Sequence, residues 1–312
     1  MNAPRRRFSI VTPTLNRAHL LPRLYKSLAE QTLADIEWIV VDGGSKDGTA
    51  ELMAQWSASG PVSVKFICKD GAPKHTAVNI GIAEAAGEFV QIMDSDDVYV
   101  PTAFERFLHH WSAIPVSEQS AFVGVCGLVA GFDGAIIGRK FPKDILDSDD
   151  FELQTRYRII GDEKISVLRT AVLREFLFPE NLDRFVTEQL IWNRIGLRYR
   201  TRFVNEVFVL KEYQADGLTS GVQLIGPNNP RASALTELEF ARANRPIPFD
   251  LKVKAYAHYI QYSMHAGNPL LKSVRDLPSR ALATLCVPLG WGLYLRALWH
   301  RARVRRHSNA EG

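Results

Sequence analysis

Over the first hundred positions of this chain, short apolar runs alternate with stretches of helical spacing. Residues 7–12 (RFSIVT) and 36–41 (IEWIVV) are apolar on both faces of an extended strand, and Pro13 and the Asp42-Gly43-Gly44 turn stop them. Between them Leu20, Leu21, Leu24 and Leu28 recur with helical period. Asp47-Gly48-Thr49 opens a second helix, to about Trp56, with Asp47 or Thr49 as its cap. Strands at 62–68 and 88–93 (EFVQIM) bracket a helix over 74–86. This alternation predicts an α/β fold, a mainly parallel sheet covered by helices.

Beyond Pro101 the pattern predicts a helix to Trp111, a strand over 122–129 and a turn at Gly131-Phe132-Asp133-Gly134. Helices over 168–176 and 185–197 and a strand over 203–213 follow. From about Gly221 the strand signals end, Asn228-Asn229-Pro230 makes a break, and helical patterns run to the C-terminus. The expected organisation is a catalytic α/β domain over 1–220 and a helical, basic region over 221–312.

Charge sharpens that division. The net charge is +4, yet from Leu277 to Ala310 there are six arginines (280, 296, 301, 303, 305 and 306) and no acid, so the rest of the chain is close to neutral. A terminal basic stretch suits an anionic surface, a membrane or a nucleic acid. No nucleic-acid motif accompanies the charge, whereas Trp291, Tyr294 and Trp299 interleave with the arginines as headgroup anchors do. The uncharged stretch 281–295 has fifteen residues and holds Pro288, Gly290 and Gly292. That falls short of the roughly 20 a spanning helix needs, so peripheral attachment is expected, with simple packing on the catalytic domain as the competing reading. Cys68, Cys126 and Cys286 lie far apart and read as free thiols of a cytoplasmic protein. The N-terminus lacks an apolar run of signal-peptide length and reads as the start of the first strand.

Candidate chemistry gathers at the carboxyl ends of the first four strands, where open α/β sheets bind ligands. These ends read Thr12-Pro13-Thr14, Asp42-Gly43-Gly44-Ser45, Lys69-Asp70-Gly71 and Asp94-Ser95-Asp96-Asp97. Three carboxylates within four residues repel one another unless a cation or hydrogen-bond donors neutralise them, and hard oxygen ligands suit Mg²⁺ or Mn²⁺ bridged to phosphates. A capped turn with solvated acids is the alternative. Asp42 before two glycines suits a ribose or base contact with close backbone approach, or an ordinary turn. Neither GxGxxG after the first strand nor GxxxxGK[ST] occurs, which removes the sequence grounds for a dinucleotide oxidoreductase or a P-loop NTPase.

The segments FSIVTPTLNR (8–17), WIVVDGGSKDGT (38–49) and NIGIAEAAGEFVQIMDSDD (79–97) resemble, in order and spacing, the successive motifs of family 2 glycosyltransferases. The resemblance implies a GT-A fold, a nucleoside-diphosphate sugar donor, commonly of uridine, and inversion at the anomeric carbon. By that likeness Thr12, Pro13, Thr14 and Asp42 line the nucleoside pocket, with Asn16, Arg17, Gly43 and Gly44 in the same motifs. Lys69, Lys74 and Asn79 stand at donor-contact positions, although residues 70–79 depart from the commoner wording. Asp94 and Asp96 form the metal motif, with Ser95 between them facing the donor.

The family's acidic pair before a helix is matched by Thr187-Glu188-Gln189-Leu190-Ile191-Trp192-Asn193-Arg194. Alignment on Trp192 and Arg194 makes Glu188 the general base, while the other register puts Gln189 there and leaves no base. Residues 213–220 (YQADGLTS) resemble the loop that follows the last core strand in enzymes of bacterial surface polysaccharide synthesis. An acceptor that is a saccharide or lipid-linked saccharide, at the inner face of the cell membrane, follows from the same likeness. A sugar-1-phosphate nucleotidyltransferase and a non-catalytic nucleotide-sugar binder remain as alternatives.

Overall fold

The computed structural model describes residues 7–212 and 222–308. These residues divide into two compact units, the first within Met1–Phe178 and Arg194–Gln214, the second within Pro179–Asn193 and Ala215–Gly312. The sequence pattern had placed 179–193 wholly with the catalytic domain.

In the first unit, β1 (Phe8–Thr14), β2 (Ile36–Asp42), β3 (Ser63–Cys68) and β4 (Phe89–Ile92) are parallel neighbours in the order β3-β2-β1-β4. The intervening helices are α1 (Leu21–Ala29), α2 (Thr49–Ser59) and α3 (Lys74–Glu84). Every residue of β2 is buried, and Glu37, the charged residue inside its apolar run, accepts from Ser9 Oγ at 2.5 Å and Ala86 N at 2.7 Å. Tyr25 of α1 stacks on Trp56 of α2 with ring centroids 4.3 Å apart, and both rings meet the buried Trp38 of β2. A Cβ at Gly81 would lie 2.2 Å from Val11 Cγ1, so only glycine lets α3 come this close to β1.

The helices α4 (Ala103–Ser112), α5 (Asp150–Thr155) and α6 (Thr170–Leu173) lie between the later strands in the chain, and α7 (Glu188–Gly196) begins within the second unit. The first unit's sheet continues with β5 (Val98–Tyr99), β6 (Phe122–Ala130), β7 (Ile145–Ser148), β8 (Lys164–Arg169) and β9 (Arg200–Leu210). Here it is mixed: β8 is antiparallel to both β4 and β6, β9 is parallel to β6, and β5 and β7 are antiparallel to β9. The expected helix over 168–176 is therefore corrected. Leu168 pairs with Val90 and Gly124 in the sheet, and only a single turn of helix follows at α6. The run Ile165-Ser166-Val167-Leu168 is too short for periodicity to tell strand from helix, and pairing on both sides decides it. The two-residue β5 and the edge strand β7 carried no pattern strong enough to predict.

In the second unit, α8 (Val222–Asn228), α9 (Pro230–Arg242), α10 (Phe249–His265), α11 (Leu270–Asp276) and α12 (Arg280–Ser308) follow in turn. Tyr259 Oη donates to Asp276 Oδ2 at 2.8 Å, and Arg242 donates to the Asp276 carbonyl, fixing α11 against α9 and α10. Helix α12 runs unbroken through Pro288. At Gly290 a Cβ would stand 2.7 Å from Ile260 Cγ2 and 2.9 Å from the Ala257 carbonyl, so only glycine lets α12 lie this close along α10. Within Arg280–Arg303 an 18-residue window reaches a mean hydropathy of 1.4, and by length and composition the helix could cross a membrane, against the fifteen-residue count.

Candidate active site

The parallel strand ends are tied to one another by backbone bonds. Gly43 N donates to Thr14 O at 2.9 Å, Lys69 N to Asp42 O at 2.8 Å and Gly71 N to Gly43 O at 2.9 Å. Gly44 takes a φ of +97°, and a Cβ there would meet Asp70 Oδ1 at 2.8 Å, so glycine alone fits that turn. Asp42 is buried, and its carboxylate accepts from Ser45 N at 2.9 Å and Ser45 Oγ at 2.5 Å. Asn16, at a φ of +53°, links the first two loops: its N–H donates to Ser45 Oγ at 2.7 Å and its Oδ1 accepts from Lys46 N at 2.9 Å. Asp47 accepts from Thr49 N, Thr49 Oγ1 and Ala18 N. Burial works to raise its pKa, but those donors outweigh it and hold the carboxyl below its usual value.

The predicted pocket residues fall into two groups. Thr14 is buried beside Gly43, its hydroxyl without a hydrogen-bond partner among the described residues. Thr12 is fully buried instead, and its hydroxyl accepts from Trp38 Nε1 at 2.9 Å, so it braces the core beneath the loops. Pro13 and Arg17 are half-buried, and Lys69 is exposed at the end of β3. Asn79 is buried on α3, its amide donating to Phe178 O at 2.8 Å and accepting from Phe178 N at 2.9 Å. Those bonds clamp α3 to the chain at Phe178, a scaffold role where the motif had suggested donor contact.

The acidic run lies between β4 and β5. Asp94, Asp96 and Asp97 each bring a carboxylate oxygen within 4.8 Å of the others, while Ser95 is buried between them. Lys74, at the start of α3, places Nζ 2.7 Å from Asp94 Oδ1. Burial would raise the Asp94 pKa, but the Lys74 ammonium, helped by Lys211, keeps it below the ordinary carboxylate value. Asp97 behaves in the opposite way: burial, together with Asp94 and Asp96, pushes it up to about 8 despite Lys211. Its Oδ2 is 3.9 Å from Lys211 Nζ, and its buried Oδ1 has no hydrogen-bond partner among the described residues. Three clustered carboxylates with an unsatisfied buried oxygen fit a hard divalent cation.

Two residues of this site had no motif to announce them. Lys211 follows β9 and bridges Asp97 to Glu163, whose Oε2 is 3.3 Å away. Arg23 of α1 donates to the Asp96 carbonyl at 2.7 Å and to Glu212 Oε2 at 2.9 Å, with its guanidinium over the Phe132 ring. Both lie more than seventy residues from the acids they serve, so only the sheet order brings them in. The segment Tyr213–Ser220 lies outside the described residues. His110 Nε2 is 2.9 Å from Glu206 Oε1, which also pairs with Arg106, consistent with a structural histidine.

Glu188 opens α7 in the second unit and is half-buried. Thr187 Oγ1 accepts from Gln189 N at 3.3 Å, and Gln189 Nε2 donates to Asn193 Oδ1 at 2.9 Å. Thr187 thus acts as a helix cap, and the Gln189 amide is turned to its own helix.

A four-stranded parallel core extended by antiparallel strands, with acids after the fourth parallel strand, defines the GT-A class of nucleotide-sugar folds. The solved structures agree: the S. aureus TarS fragment in complex with UDP-GlcNAc superposes with a TM-score of 0.64 at 16% identity, covering 95% of this chain and 92% of that one. The mannosyltransferase PcManGT from Pyrobaculum calidifontis, in complex with GDP-Man and Mn²⁺, gives 0.55 at 18% identity over 93% of this chain and 80% of its own. Residues 9–125 match the family model for glycosyl transferase family 2, and the domain they build belongs to that family. An uncharacterized glycosyltransferase of Nostoc sp. is 32% identical over 128 residues, 41% of this chain and 38% of the relative. A PGL/p-HBAD biosynthesis glycosyltransferase of Mycobacterium bovis is 34% identical over 92 residues, 29% and 35% of the two chains. The chain therefore spans under two fifths of the length of these curated relatives.

Proposed function

We propose that the protein is an inverting glycosyltransferase that moves a sugar from a nucleoside-diphosphate donor to a saccharide or lipid-linked acceptor in bacterial polysaccharide synthesis. The observation that carries this reading is the cluster of Asp94, Asp96 and Asp97 beside the strand ends of Thr14 and Asp42. A uridine nucleotide is the donor that the UDP-GlcNAc in the TarS neighbour favours. The unpartnered Thr14 hydroxyl and the Gly43-Gly44 turn suit its nucleoside. Asp94 and Asp96 would hold Mg²⁺ or Mn²⁺, which offsets the charge that grows on the departing diphosphate.

Glu188 is the proposed general base. It takes the proton of the acceptor hydroxyl as that oxygen bonds to the anomeric carbon from the face opposite the leaving group. The bond between that carbon and the diphosphate oxygen breaks, and its electron pair leaves with the nucleoside diphosphate. The competing Gln189 register is disfavoured by its amide's bond to Asn193. The proposed setting is the cytoplasm, at the inner face of the membrane, with no nucleic-acid partner.

The test is incubation with a panel of nucleotide sugars and Mn²⁺. Release of nucleoside diphosphate, by transfer or slow hydrolysis, is the expected result. Formation of nucleoside triphosphate and sugar-1-phosphate, only when pyrophosphate is added to the nucleotide sugar, would mean nucleotidyl transfer, and binding of donor with neither reaction would mean a non-catalytic binder.

A further inference from the structure

The C-terminal helix presents two apolar faces, and its own unit covers one of them. Ala283, Cys286, Gly290 and Ala297 are buried, and Cys286, Gly290 and Leu293 meet Val253, Ile260 and Gln261 in turn, so α10 runs parallel beside α12. At helical spacing the opposite side carries Leu285, Leu289, Leu295 and Trp299, which are 75%, 55%, 49% and 58% exposed, with Trp291 on its flank. A solvated helix face would carry charge, but no charged residue occurs between Arg280 and Arg296. The charges that do occur, Arg280 before the face, Arg296 within it between Leu295 and Trp299, and Arg303 beyond it, are exposed and all positive, and no acid occurs from Leu277 to Ala310.

We propose that this outer face of α12 lies in the plane of an anionic bilayer, Leu285, Leu289, Leu295 and Trp299 entering the acyl boundary and the arginines meeting lipid phosphates. The acid-free flanks name the partner, because a face ringed only by guanidinium complements anionic headgroups and repels a second copy of itself. The membrane setting of the proposed function gains its contact residues here and rests on that reading only for the acceptor.

Geometry also decides between lying on the membrane and crossing it. A spanning α12 would carry α10 with it along the shared seam, and α10 bears Asp250, Lys252, Lys254 and His258. Burying those groups in hydrocarbon is far costlier than leaving them in water, while an in-plane helix keeps α10 on the wet side. Arg301 supports the same orientation, since it bonds Asn228 Oδ1 at 3.1 Å and the Pro227 carbonyl, away from the apolar face.

Flotation of the full chain with phosphatidylglycerol-containing vesicles tests this, and needs no catalysis. We expect co-flotation that falls with rising salt, that is absent on phosphatidylcholine alone, and that is lost in the double variant L285E/L289E. Those side chains touch little of their own protein, so the variant should melt as wild type does. Changing Arg296 and Arg303 to Gln should weaken partitioning by about fivefold per arginine. Failure to float with anionic vesicles would overturn the proposal. Resistance of the bound protein to alkaline carbonate would overturn the in-plane orientation. A dimer by light scattering that L285E/L289E converts to monomer would assign the face to a second copy. Nucleoside diphosphate release from a soluble donor is measured without vesicles, so either reading can fail while the other stands.

Discussion

Lys74 Nζ lies 2.7 Å from Asp94 Oδ1, a cation from the start of α3 on the first acid of the metal cluster. The pair exists because Gly81 lets α3 lie close along β1, which brings the helix start to the end of β4. The same lysine position is the one at which the family likeness implies donor contact. Lys74→Met should therefore separate two roles. Without donor, Mn²⁺ affinity should rise by up to about fivefold, since a partly exposed ion pair no longer competes for Asp94. Donor affinity should fall in the same variant. Calorimetric titration of each ligand checks this, and unchanged affinity for both would show that the pair is only a surface bridge.

At the proposed cation site, Asp97 should make binding depend on pH. Its folded pKa is raised to about 8, so at neutral pH the carboxyl is mostly protonated until a cation arrives. Mn²⁺ affinity should rise with pH up to about 8 and level off above it, by at most tenfold per unit. The stability sign is opposite: the folded state holds the extra proton, so Asp97 costs stability progressively from its usual carboxylate range up to about pH 8. Asp97→Asn should accordingly raise Tm at pH 8 without cation and leave it unchanged near pH 3. Metal binding with a flat pH profile between 6 and 8 would refute the assignment.

Arg23 holds the acidic loop from outside, through the Asp96 carbonyl, and anchors to Glu212. Arg23→Ala should weaken Mn²⁺ binding by about 10- to 100-fold, the usual effect of losing an outer-shell partner, with only a small change in Tm. Arg23→Lys should recover little of it, because a lysine cannot make both bonds with one planar fork. Metal affinity equal to wild type in Arg23→Ala would remove the residue from the site.

Glu188→Gln should lower kcat by roughly 10²- to 10⁴-fold, the range for a general base, with donor affinity nearly unchanged. Single-turnover rates separate the chemical step from binding. Turnover at the wild-type rate would move the base elsewhere.

The first hundred residues could be read directly because their elements are local and their burial is two-sided. β1, β2, β3 and β4 fall within a residue or two of the apolar runs that predict them. Their polar ends follow from turn chemistry that Gly43, Gly44 and the clustered acids state openly. What lay beyond the pattern depends on distant pairing. The run around Leu168 is a strand because β4 and β6 flank it, and α12 lies close along α10 because Gly290 has no side chain. The motif marked Thr12, Thr14 and Asn79 alike, yet only the fold turns Thr12 to Trp38 and Asn79 to Phe178, leaving the Thr14 hydroxyl unpaired. Lys211 and Arg23 reach the acids only through the order of the sheet, in which β9 follows β6 and β5 pairs at its edge. Residue type and local period determined which chemistry this chain carries. Long-range packing decided which of those groups keep a free hydrogen bond or an unmatched charge, because burial and partnership belong to the folded surface and have no period along the chain.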